Sequence, residues 1–307
     1  MKTGVDYYPE HWDKSLWEQD ADLMKKSGVS LVRMAEFAWS KMEPEEGVYD
    51  FAWLDEAVKL FEDRNIEVIL CTPTNCPPLW LYEKYPEVLQ TGRDGKRQEP
   101  AIRGHRCYNA PAYRGFVEKF VRKMGEHYQN MANLAAWQID NEVEAGFCCC
   151  DSCAEKFREW LKEKYGSLEA VNQAYHNEVW SGSYSAWSQV HPPLGDRPVT
   201  QYNPAYMLDY QRFMSDSTID YVNFQQRLLR EYFPQTPITT NTWFCDHMPD
   251  FYKLFNKLDF CSYDNYPATV LPEEGYYSHA FHLDFIRGVK QKNFWLTAPR
   301  VYVECSF

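Results

Sequence analysis

Residues 4–35 read GVDYYPEHWDKSLWEQDADLMKKSGVSLVRMA. Gly4 to Tyr7 is a short β-rich run, Lys14 to Ser27 carries a helical pattern, and Ser30 to Ala35 returns to apolar and β-branched residues. Strand, helix, strand is the unit of a parallel sheet, because parallel neighbours need a long crossover and a helix supplies it. The same grammar continues outward. A helix is expected near Trp53 to Arg64, a strand at Glu67 to Cys71, a helix from Pro111 to Tyr128 and a strand at Ala135 to Ile139. Helical patterns then cover Asp151 to Tyr165 and Tyr206 to Tyr232, with a Trp-, Ser- and Pro-rich loop from Trp180 to Pro204 between them. Strands return at Ile238 to Thr240, Phe260 to Ser262 and Phe294 to Leu296, separated by helical stretches near Phe251 and from Tyr276 to Gln291. Seven parallel strands with helical crossovers predict an α/β fold, a (β/α)8 TIM-type barrel incomplete at the eighth strand.

Composition narrows the class of protein. The 307 residues are 45% hydrophobic and 25% charged, enough for one sizeable core, and no repeat or linker divides them, so residues 1–307 read as one barrel domain. A formal charge of −12 repels a phosphate backbone or an anionic bilayer, which argues against nucleic-acid and membrane partners. The start MKTGVDYYPEHW has no apolar leader and no window reaches the length of a membrane span, so a soluble, cytoplasmic protein is expected. The glycines are scattered rather than gathered in a phosphate loop, and no G-x-S-x-G elbow is present, which leaves nucleotide cofactors and serine-hydrolase chemistry unsupported. Aromatic residues make up 17% of the chain, a bias that suits stacking on sugar rings and equally suits a Tyr-rich core.

In such a barrel the chemistry sits on loops leaving the C-terminal ends of the strands. Tyr7 to Trp12, Glu36, Thr72 to Asn75, Asn141 with Glu142, Asn241 to Trp243 and Asp264 to Tyr266 fall there. In the run AAWQIDNE, Glu142 projects into the mouth, where desolvation raises a carboxyl pKa and makes a general acid usable near neutrality. Asn141 can bond a sugar hydroxyl as charge develops on the ring. The bland alternative is that the pair caps the next helix. Cys148, Cys150 and Cys153 form C-x-C-x-x-C, and Cys107 precedes them on another loop. Four thiolates from two loops satisfy a closed tetrahedral zinc site of structural type, while reduced thiols or a disulfide-prone patch including Cys149 are the alternatives. His11, Trp80 and Trp187 read as packing residues as readily as ligand contacts.

The segments GVDYYPEHW, VRMAEFAWSKMEPEEGVYDFAWLD, TPTNCPPLWL, WQIDNE and CDSCAEKFREWL resemble the glycoside hydrolase family 42 β-galactosidases over almost the whole of Gly4 to Trp295. The resemblance implies a barrel that hydrolyses terminal β-D-galactosides with retention, taking β-galactoside oligosaccharides as substrate, with Glu142 as acid/base. It also implies that Arg33, Arg103 and Tyr266 hold galactose or orient the carboxylates, that zinc occupies the matching cysteines, and that the protein forms a homo-oligomer. For Arg33 an interior ion pair with Glu36 stays open, for Arg103 a solvated charge beside Arg97 and Arg106, and for Tyr266 packing at a turn before Pro267.

A retaining mechanism needs a second carboxylate. In the stretch NFWLTAPRVYVECSF, Ala298 stands where the resemblance leads one to expect the nucleophilic Glu, and Glu304 is the only carboxylate after Asp284. The sequence therefore predicts a truncated barrel with an incomplete site and weak or no hydrolysis. A carbohydrate-binding barrel without turnover is the alternative of another class, and a β-glucoside or arabinoside specificity differs only in the groups that meet the C4 hydroxyl.

Overall fold

The computed structural model describes residues 2–195, 198–265 and 272–297. Its strands and helices alternate: β1 (Gly4–Asp6), α1 (Trp17–Lys26), β2 (Leu31–Met34), α2 (Trp39–Met42), α3 (Ala52–Glu62), β3 (Glu67–Cys71), α4 (Leu79–Lys84), α5 (Pro111–Tyr128) and β4 (Leu134–Gln138). There follow α6 (Asp151–Tyr165), α7 (Leu168–Tyr175), α8 (Pro204–Tyr232), β5 (Ile238–Thr239), β6 (Asn241–Thr242), α9 (Phe251–Leu254), β7 (Ser262–Tyr263), α10 (Pro272–Lys290) and β8 (Trp295–Leu296). All pairings are parallel, and the ladders run in chain order from β1 to β5 and from β6 to β8. A single residue, Thr240, parts β5 from β6, so the two are one barrel strand with a break, and the described residues hold seven barrel strands.

The period of two along each strand sorts the side chains. Leu31, Ile69 and Ala136 pack on one another inside the barrel, with Phe260 and Trp295 against them. Their neighbours Val32, Val68 and Trp137 face the helices and join the main core, where Trp39, Tyr113, Tyr210, Tyr221, Phe61 and Phe120 are wholly buried. Burying a side chain of this size is worth about 1.5 to 3 kcal/mol. Two residues further along β2, β3 and β4, the same inner face carries Arg33, Cys71 and Gln138, so the barrel interior turns polar at its upper end.

The expected helices at Pro111 to Tyr128 and Asp151 to Tyr165 match α5 and α6 end to end. The pattern from Lys14 begins instead as a tight 3₁₀ turn, Lys14–Leu16, capped by the Asp13 side chain, before α1 takes over at Trp17. α2, α4 and α7 lie beyond the sequence reading. They span four, six and eight residues, too short for periodicity to register. Among the described residues, no helix is long and apolar enough to cross a membrane.

Candidate active site

β4 ends at Gln138, and the chain then turns sharply. Asp140 has φ +54° and Glu142 φ +47°, both left-handed, a region that costs a non-glycine residue roughly 1 to 2 kcal/mol. Several bonds hold the turn. The Asp140 N–H donates to Thr72 Oγ1 at 2.8 Å, and its carboxylate accepts from Arg106 Nη2 at 2.5 Å, Thr74 Oγ1 at 2.7 Å, Tyr221 OH at 3.0 Å and the Asn141 N–H at 2.7 Å. The Arg106–Asp140 pair is fully enclosed, and breaking such a pair by removing one partner costs about 3 to 5 kcal/mol. Nothing in the sequence singled out Asp140, because its role lies in what three distant segments, at Thr72 to Thr74, Arg106 and Tyr221, bring to it.

Glu142 is thereby carried to the mouth with its side chain 10% exposed. Asn141 Nδ2 donates to its Oε2 at 3.3 Å, Arg103 Nη2 lies 3.3 Å from the same oxygen, and the Glu142 N–H donates to Asn241 Oδ1 at 2.8 Å. Burial first, and the nearby Asp264 charge second, push the carboxyl up to about 7 against the pull of Arg103 and Arg33. A carboxyl that keeps its proton near neutrality yet remains reachable can act as a general acid.

The neighbouring groups form two sets. Arg33 is 4% exposed, with Nη2 3.1 Å from Glu36, Nε 2.9 Å from Asp6 and Nη1 donating to Gln138 at 3.1 Å, so the interior ion pair is realised. Tyr8 donates to Glu36 at 2.7 Å. Burial raises Asp6 to about 7, although Arg33 opposes it. The second set is a stack. His11 lies on Tyr8 with ring centroids 5.1 Å apart, Tyr8 on Phe37 at 6.1 Å, and the Arg103 guanidinium sits 5.6 Å over Phe37. Arg103, 60% exposed, thus spans from the aromatic wall to Glu142. Arg33, Arg103, Asn141 and Glu142 are brought into one mouth; Tyr266, Ala298 and Glu304 lie outside the described residues.

The four predicted cysteines also converge. Cys107 Sγ lies 3.5 Å from both Cys150 Sγ and Cys153 Sγ, and all four sulfurs, with Cys148, fall within 4.8 Å of one another. A disulfide requires about 2.05 Å, so these are thiols. Zn–S bonds of about 2.3 Å place tetrahedral sulfurs about 3.8 Å apart, and the cluster matches that spacing. Cys149 turns away, its thiol toward the Pro193 carbonyl at 3.9 Å.

Comparison with known proteins agrees with this geometry. The sequence profile of the family described as "Glyco_hydro_42: Beta-galactosidase" matches residues 6–300. β-Galactosidase BgaA of Clostridium cellulovorans is 57% identical over 298 residues, covering 96% of this chain and 45% of its own. The structure of a polyextremophilic β-galactosidase from Halorubrum lacusprofundi superposes with a TM-score of 0.91 at 35% identity, over 96% of this chain and 46% of that one. The catalytic domain of a β-amylase from Paenibacillus polymyxa, at 13% identity and a TM-score of 0.72, shares the fold alone. The chain spans about half the length of the β-galactosidases it matches. On its sequence and its barrel alike, the chain belongs to the glycoside hydrolase family 42 β-galactosidases.

Proposed function

We propose that the protein hydrolyses terminal β-D-galactosides with retention, Glu142 serving as the acid and then the base. The observation that carries this is a mostly enclosed carboxyl raised to about 7 at the C-terminal end of a barrel strand, clasped by Asn141 and Arg103. In the first step the Glu142 proton passes to the glycosidic oxygen as the bond to the anomeric carbon breaks; in the second, the resulting carboxylate takes a proton from the attacking water. Asn141, Arg103, Arg33 and Tyr266 are assigned to holding the sugar or the carboxylates. Likeness to proteins named β-galactosidase supports hydrolysis over binding alone.

The nucleophile has to stand about 5 to 5.5 Å from Glu142. Asp264 does not meet that need, since it lies within hydrogen-bond reach of Glu142, is 1% exposed and has both oxygens occupied by Asn241 and Thr297. Glu304, the one carboxylate side chain this sequence carries after Asp284, is a candidate that lies outside the described residues. Glu304→Gln abolishes turnover if it attacks the anomeric carbon and leaves the rate unchanged if it does not.

The test of the acid is Glu142→Gln. Hydrolysis of an alkyl β-galactoside, whose poor leaving group needs the proton, is expected to fall by about 10²- to 10⁴-fold, and that of a nitrophenyl β-galactoside by less. The wild-type rate should decline as pH rises through about 7, because the acid form is then lost. An unchanged alkyl galactoside rate in Glu142→Gln would refute the assignment.

Zinc is proposed at Cys107, Cys148, Cys150 and Cys153. Four protein ligands leave no open position for a reacting water, so the metal would pin the loop behind Glu142 rather than take part in chemistry. A reducing, cytoplasmic setting is proposed with it, because thiols gathered to hold a metal have to stay reduced. A homo-oligomer is proposed on the family likeness alone.

A further inference from the structure

We infer that Asp264, just past β7, is the positioning residue that holds the Glu142 carboxyl and its proton in place, directly and through Asn241. The inference rests on Glu142 being the acid, but it concerns a titration that needs no substrate.

Asn241 joins the parts. One carboxamide reaches three residues: Nδ2 donates to Asn141 Oδ1 at 2.9 Å and to Asp264 Oδ2 at 2.6 Å, while Oδ1 accepts the Glu142 N–H at 2.8 Å. Asn241 is wholly buried and spends every polar atom of its side chain on this task. It fixes the left-handed backbone of Glu142 on one side and Asp264 on the other.

Asp264 is equally committed. Its other oxygen accepts from Thr297 Oγ1 at 2.5 Å, and Thr297 in turn accepts from Ser262 Oγ at 2.9 Å. Two donors, one to each oxygen, suit a carboxylate. Glu142 lies within hydrogen-bond reach of Asp264. Two carboxyl groups meet at such range only when a proton lies between them, and burial together with the Asp264 charge holds that proton on Glu142. Arg103 and Arg33 face Glu142 with opposing charge, while Asp6, Arg33 and Cys71 face Asp264 across the barrel mouth. The repulsion works in both halves of the reaction. It keeps Glu142 protonated before the leaving group departs, and it makes the carboxylate left behind a keener base toward water.

The experiment is a carbon-13 NMR titration of the whole 307-residue chain labelled at glutamate carboxyls, with Glu142→Gln identifying the signal. The wild-type midpoint is expected close to 7. Asp264→Asn should lower it by about one pH unit or more, Asp264→Glu should keep most of the rise, and Thr297→Val should lower it by less, since Asp264 then loses one of the two donors that hold it against Glu142. If Asp264→Asn fails to fold, Thr297→Val decides. A midpoint within about 0.3 unit of wild type in the decisive variant overturns the inference. That result leaves the acid assignment standing, whereas an unimpaired Glu142→Gln enzyme would remove the acid assignment without touching the titration.

Discussion

Glu10 lies in the loop after β1 with both carboxylate oxygens shut from solvent and no partner among the described residues beyond its own backbone N–H. Burial raises it to about 7, as it does Asp6 and, with Asp264, Glu142. Each of these groups binds its proton more tightly folded than unfolded, so the stability it lends is fully present below about 4.5 and is lost as pH rises through about 7. Glu10→Gln removes one such term. The variant should melt higher than wild type at pH 8, by a stability on the order of 1 kcal/mol, and no differently at pH 4, below the unfolded value; thermal unfolding at the two pH values checks it. Single residues were unevenly legible in the sequence. Glu142 and Asn141 announced themselves by following an apolar strand, whereas Asp140 and Tyr8 matter through contacts with segments far away in the chain and Glu10 through its burial, which no local pattern encodes.

The start of α6 shows how an element can depend on what lies ahead of it. Cys150 occupies the N-cap position without a side-chain cap, and Cys153 sits in the first turn, so the C-x-C-x-x-C spacing follows a chain entering a helix. That part was readable in sequence. Cys107, also named in the sequence as the fourth ligand, reaches the others from a loop tied to the Val88 carbonyl by its N–H at 2.7 Å. Zinc bound there would hold Cys150 as a thiolate, able to accept from the first-turn N–H groups, and would tie two loops together. Elemental analysis should find one zinc per chain, and a chelator should lower the melting temperature and speed proteolysis between residues 143 and 150. Cys153→Ser should abolish metal binding, while Cys149→Ser, whose thiol faces Pro193, should leave it intact. The same loop links onward to the mouth, since Arg106, next to Cys107, grips Asp140.

The two halves of the barrel are unequal. β1 to β4 run for three to five residues each, while β5 to β8 have two each and the ladder breaks at Thr240. Short ladders with few long-range bonds open first. In native-state hydrogen exchange the amides of Asp264, Trp295 and Thr297 should therefore exchange before those of Val68 and Thr72, which donate to Asn133 and Gln138 along the longer ladder; equal protection would contradict this. The fold was legible because βαβ alternation survives in the spacing of apolar runs. The lengths of the later strands were less so, as Phe260, expected in the strand, precedes β7 and packs 4.3 Å from Trp295 instead. One feature of this architecture limits how the molecule can be improved. The turn bearing Asp140 and Glu142 keeps two left-handed residues flanking Asn141, and glycine at 142 would relax the backbone while deleting the proposed acid. Selection for heat tolerance alone would drift toward that silent variant, so directed evolution here needs a catalytic screen at every round.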